Sequence, residues 1–142
     1  MKKLVFLGGT CDNNDWRAGL IGRLVARGVK PETLFNPVVP SWNAEVQARE
    51  DQVKTEATFF LYYLGDPLRD DKRTTYYSLL EGTMGLYDDP DRTVVVFDIT
   101  GMPRHAARSS LKAYGDLKKR FPNGNIFDSL AQAEDLLAAH LL

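Results

Sequence analysis

Cysteine is almost absent from this chain of 142 residues, where Cys11 stands alone. A lone thiol excludes an internal disulfide framework and any zinc site built on several thiolates, and it agrees with a reducing compartment. Histidine is nearly as scarce, with only His105 and His140, so Ser/His/Asp relays and His-based metal clusters have little to draw on. Neither sign of charge dominates, because 18 Lys and Arg stand against 19 Asp and Glu for a net charge of -1. That balance does not advertise polymeric nucleic acid or an anionic membrane as a partner, and a small solute is expected instead. No apolar run has the length of a bilayer span, and MKKLVFLGG is too short, and lacks the cleavage pattern, for a secretory signal. The expected location is the cytoplasm. A phosphate loop is missing too, since GGTCDNND lacks the GK[ST] ending and is not GxGxxG, which disfavours hydrolysis of nucleoside triphosphates.

What is present is an alternation of apolar runs with helical patterns, the signature of βα units and a parallel sheet. KLVFLG, TLFNP, TFFLYYLG, RTVVVFDI and IFD read as five strands, with Pro37 stopping the second because proline donates no ladder hydrogen bond. Helices are expected from Asp15 or Trp16 to Gly28, over SWNAEVQAREDQVKTEA with Ser41 or Asn43 as cap, and over TYYSLLEGTMGLYDD with Thr75 or Ser78 as cap. Two more run from about Arg104 to Phe121 after Pro103, and over SLAQAEDLLAAHLL, where Ser129 and Gln132 have capping-box spacing. The expected architecture is a three-layer α/β sandwich with flavodoxin-like strand order 2-1-3-4-5, forming one domain over residues 1–142.

In such a sheet, ligands bind beyond the carboxyl ends of the strands, near the point where strand order reverses. Gly8 to Asp15, Asn36 to Trp42, Gly65 to Tyr77 and Asp98 to Arg104 would ring one mouth. Glu81 is the candidate reactive group, lying on the helix after the third strand and preceded by Tyr76, Tyr77 and Ser78. Oriented by a tyrosine hydroxyl such as that of Tyr76, its carboxylate could attack a sugar carbon, as retaining glycosyl transfer requires. The competing reading is an exposed helical glutamate. His105 reads as a surface residue at a helix start, and Tyr62 and Tyr63 read chiefly as structural.

FLGGTCDNNDWRAGLI, FNPVVPSW and YYSLLEGTMG before a valine-rich strand resemble the nucleoside 2-deoxyribosyltransferase-like family, within the deoxyribosyltransferase and nucleotide N-glycosidase superfamily. The resemblance runs roughly from Leu4 to Asp98. It implies cleavage or transfer at the N-glycosidic bond of a nucleoside or nucleotide, with Glu81 as nucleophile and no metal or organic cofactor. It also implies that Gly9, Thr10, Asp12, Asn13, Trp16 and Arg17 line the sugar end, with Arg17 as a partner for a 5'-phosphate. Asn36, Pro37 and Trp42 would shape the base side, Ser78 would flank the nucleophile, and Met102 would reach a pocket of this or a neighbouring subunit.

One departure matters. The classical transferases carry an aspartate six residues before the nucleophile, and here that position is Thr75 in TTYYSLLE. Asp12, Asp70, Asp71 and Asp98 are the candidates for protonating the base, with Asp98 best placed at a strand end. A homo-oligomer is implied by the same resemblance. The reading from another class is a non-catalytic nucleotide-binding sensor or scaffold. Electron transfer by a bound flavin is disfavoured, because fold alone suggests it.

Overall fold

The computed structural model describes residues 3–10, 16–39, 41, 43–65 and 76–142. Five strands, β1 (Val5–Gly9), β2 (Leu34–Phe35), β3 (Phe59–Leu64), β4 (Thr93–Phe97) and β5 (Asn125–Phe127), pair in parallel in the order β2-β1-β3-β4-β5. Helices α1 (Trp16–Ala26), α2 (Ala44–Glu56), α3 (Tyr76–Asp88), α4 (Arg104–Arg120) and α5 (Leu130–Leu141) connect or follow them. This is the expected α/β order, with two one-turn 3₁₀ helices, Pro31–Thr33 and Pro90–Arg92, leading into β2 and β4. Each begins with proline, whose fixed φ and missing amide suit a first helical position.

The period-two alternation of the strands divides the core between the two faces of the sheet. Val5, Leu7, Leu61, Tyr63, Val94 and Val96 face α1 and α5, packing with Leu20, Leu24, Ala133 and Leu137. Phe6 and Tyr62 face α2 through Val53, while Val95, Phe97 and Leu64 pack with Leu86 of α3 and with Tyr114 and Leu117 of α4. Val53 is the only fully buried residue of α2, so that helix is a polar layer held by a narrow seam.

Local chemistry sets the helix ends. Asn43 caps α2 by accepting the Val46 amide at 2.9 Å. Gly28, at φ 105, closes α1 as the Gly28 amide donates to Val25 O and the Val29 amide to Leu24 O, the pairing of a Schellman motif. Ser78 lies inside α3, so it does not cap that helix, and Thr75 lies outside the described residues. Among the described residues no helix is long and apolar enough to cross a membrane.

Two glycines allow close approach on this face of the sheet. Gly8 stands beside Tyr62 in the β1–β3 register, and a Cβ at Gly8 would lie 2.8 Å from the Tyr62 ring. On the α3 side, a Cβ at Gly82 would come within 3.5 Å of Tyr62 and 3.1 Å of Val95. The missing side chain at Gly8 leaves the room in which the Tyr62 ring lies, and the one at Gly82 lets α3 come close to Val95.

Candidate functional site

At the carboxyl end of β1 the chain turns through Gly9, at φ 119, where a Cβ would run into the backbone of Tyr63. Thr10 then ties β1 to β3. Its amide donates to Tyr63 O at 2.8 Å, its hydroxyl donates to Gly65 O at 3.0 Å, and it accepts the Gly65 amide at 2.9 Å. Trp16 and Arg17, at the start of α1, turn inward. The Trp16 indole donates to Thr10 O at 2.7 Å and its ring centroid lies 4.7 Å from that of Tyr63. Arg17 is 3% exposed, and its Nε, Nη1 and Nη2 donate to Leu7 O, Thr10 O and Gly9 O at 2.8, 2.7 and 3.0 Å. A guanidinium presents five donors in a planar fork, and here that fork binds the carbonyls at the strand end. An arginine in a first helical turn usually reads as a surface charge, and no periodicity in the sequence distinguishes this one.

Beyond β4, Asp98 accepts the Tyr63 hydroxyl at 2.6 Å and the Thr100 amide at 3.0 Å. Burial pushes the Asp98 carboxyl up, and the hydrogen bonds from Tyr63 and Thr100 outweigh it, holding the group below its ordinary value of 3.8. Asp98 is therefore ionised at neutral pH and is an acceptor there. The chain then turns with the Met102 amide on Ile99 O at 3.0 Å and Gly101 at φ 78, a conformation that favours glycine. Met102 is half-buried, and its sulfur accepts the Ser110 hydroxyl at 3.5 Å.

Glu81 belongs to the other face of the sheet, on α3. Its side chain is 15% exposed, and Oε2 lies 3.0 Å from Lys54 Nζ on α2. Lys54 also pairs with Glu50 one helical turn back at 3.4 Å. The ammonium stands 5.2 Å from the centroid of the Phe6 ring and 5.7 Å from that of Tyr77, within cation–π range. Burial pushes the Lys54 ammonium down, but Glu81, then Glu50 and Tyr77, more than restore it, leaving it above its ordinary 10.5. Beneath this cluster the Tyr62 phenol is pushed well above its usual value of 10.0, first by burial and then by the charges of Glu81 and Tyr77, so it keeps its proton.

Tyr77, rather than Tyr76, meets the Lys54–Glu81 pair, although the two are 68% and 75% exposed. Ser78 is half-buried on the same helix. Asn36 folds its own loop by accepting the Val38 amide at 2.9 Å, and Pro37 beside it is half-buried. Asp12, Asn13, Trp42, Asp70 and Asp71 lie outside the described residues. Asp98 and Glu81 have separate partners, one tied to a tyrosine of the α1/α5 face and the other to α2 across the opposite face. Lys54 is the residue that sequence reasoning missed, because a lysine in a polar helix carries no signal of what faces it. His105 lies exposed in the first turn of α4. Among the described residues no three His, Cys, Asp or Glu side chains converge as a metal site requires. A cavity of about 480 Å³ lies between the end of α3 and α4, lined by Tyr87, Asp116, Leu117, Lys119 and Arg120; none of its residues belongs to the mouth.

Comparison with known families gives one finding. A family model described as nucleoside 2-deoxyribosyltransferase like matches residues 2–99, more than half of the chain, from before β1 to just past β4. No curated protein matches the chain.

Proposed function

Since the chain belongs to the nucleoside 2-deoxyribosyltransferase-like family, we propose that it cleaves or exchanges the N-glycosidic bond of a nucleoside or nucleotide, with Glu81 as nucleophile. The observation that carries this reading is a largely buried carboxylate fixed through one oxygen, on the helix that leaves the carboxyl end of β3. Its free oxygen attacks C1' of the sugar; the bond from C1' to the base nitrogen breaks and its electron pair leaves with the base. Water or a second base then attacks C1' and returns Glu81 to the carboxylate. Asp98, ionised at neutral pH, is suited to accept a sugar hydroxyl. Proton delivery to the base falls to water or to Asp12, Asp70 or Asp71. Gly9, Thr10, Asp12, Asn13, Trp16 and Arg17 form the sugar end, Arg17 through the strand end that it holds. Asn36, Pro37 and Trp42 form the base side, and Tyr76, Ser78 and Met102 border the mouth.

One domain spans residues 1–142 and acts as a homo-oligomer in the cytoplasm. An exposed apolar stripe on α3 supports the oligomer: Tyr76, Leu80, Met84 and Tyr87 are 75%, 54%, 49% and 57% exposed, and their spacing puts them on one helix face.

The test follows release and exchange of free base by chromatography with mass detection. Deoxynucleosides, ribonucleosides and their 5'-monophosphates are offered to wild type and to Glu81→Gln. The expected result is turnover of at least one member, reduced at least about 10³-fold in Glu81→Gln, in line with loss of a nucleophile. Binding without turnover across the whole panel would replace this reading with that of a sensor or scaffold.

A further inference from the structure

Glu81 cannot choose its own direction on α3, since a glutamate side chain has three rotatable bonds and an unpaired carboxylate samples several orientations. The structure holds it in one. Both α2 and α3 run back from the mouth after β2 and β3, and side chains on a helix tilt toward its N-terminus. Lys54 stands in the last turn of α2 and Glu81 in the second turn of α3; each side chain leans back toward the start of its helix, and they meet at 3.0 Å. The lysine is itself fixed from three sides: by Glu50 at 3.4 Å, by the Phe6 ring and by the Tyr77 ring. Only 24% of its side chain is exposed, beside 15% for Glu81, which is little for two charged residues.

We infer that Lys54 is the positioning residue of this site: its ammonium grips Oε2 of Glu81, leaving Oε1 to face the substrate, and Glu50 and Tyr77 hold the ammonium in place. The inference rests on Glu81 as nucleophile. When Oε1 bonds to C1', the carboxylate becomes an ester and its charge is spent, while the ammonium keeps Glu50 as partner. Lys54 transfers no proton in this scheme. Its contribution is to hold the attacking oxygen within reach, an effect for which a displacement of about 1 Å can cost on the order of 10²-fold in rate. The ion pair is not an exposed surface pair of small effect, because both side chains are largely covered and the buried Phe6 ring lies against the ammonium.

The experiment has two readouts. The first compares kcat and KM for base release in wild type, Lys54→Met and Lys54→Arg, with circular dichroism to check that each is folded. Lys54→Met is expected to lose about 10²-fold in kcat with KM within about threefold, and Lys54→Arg, which restores a cation at Oε2, to recover most of it. Wild-type kcat in folded Lys54→Met, or a loss confined to KM, overturns the inference. The second readout needs no turnover: the Lys54 ammonium is titrated by carbon-13 NMR in wild type and in Glu81→Gln. Loss of the Glu81 charge is expected to lower the Lys54 pKa, since burial then acts with less opposition. An unchanged titration overturns the grip even if wild type turns over none of the panel, a result that by itself removes only the proposed reaction.

Discussion

His140, near the end of α5, has a ring Nε2 that is buried without a hydrogen-bond partner among the described residues. Its ring lies 4.6 Å from that of Phe59, and Lys3 donates to its backbone carbonyl at 2.6 Å. Burial first, and the Lys3 charge second, hold the imidazole below its ordinary 6.5, so the folded chain favours the neutral ring. Its contribution to stability is whole above the unfolded value and is lost as pH falls through the folded one. His140→Phe keeps an aromatic ring against Phe59 and removes the titrating group. The variant is expected to show a smaller fall in Tm on acidification below about pH 6.5 than wild type; parallel Tm curves would dismiss this account. At this scale the sequence reads unevenly. Glu81 stands out in the sequence by its place after a strand and a tyrosine pair, and its role is the one proposed above. The partners of Lys54 and Arg17 are not legible there, since each lies on a different element: a carboxylate across the helix layer, and carbonyls at a strand end.

The elements were the most legible level, because strands and helices answer to local periodicity. All five strands fall where their apolar runs stand, with β1 starting at Val5 and β4 ending at Phe97. The two 3₁₀ turns carry no period in the sequence, being three residues each. Capping was legible where a side chain could reach an amide, as at Asn43, and less so in α3, where Ser78 sits within the helix. Helix α2 depends on its cap more than a well-packed helix does, since Val53 is its sole fully buried residue. Asn43→Ala is expected to lower stability by about 1 kcal/mol, read as a shift in the urea midpoint at constant slope. Because α2 carries Lys54, the same variant should also soften the hold on Glu81, visible as a lower kcat without loss of secondary structure.

For the whole molecule, one sheet divides the core between two faces, and its central strands contribute to both. Neither face can be lost while the other is kept intact, because Val94 and Val95 are successive residues of one strand. Far-ultraviolet circular dichroism and tryptophan fluorescence are therefore expected to give the same unfolding midpoint, with Trp16 reporting from the core. An earlier fluorescence transition would mean that the mouth end melts separately. Strand order was legible only through the α/β rule, as no single strand encodes its neighbour. The α3 stripe was legible as aromatic content but not as an exposed face, for exposure depends on where α4 and α2 lie. Leu80→Lys is expected to reduce the mass measured by light scattering if that stripe joins subunits, and an unchanged mass places the contact elsewhere.

The room that Gly8 leaves for the Tyr62 ring has a consequence for how this chain can change over generations. The two positions lie far apart in sequence, yet a Cβ at 8 would stand 2.8 Å from the ring at 62. A side chain appearing at position 8 calls for a smaller residue at 62. These two positions form one heritable unit, and descendants of this sequence should not gain a side chain at 8 while keeping the ring at 62.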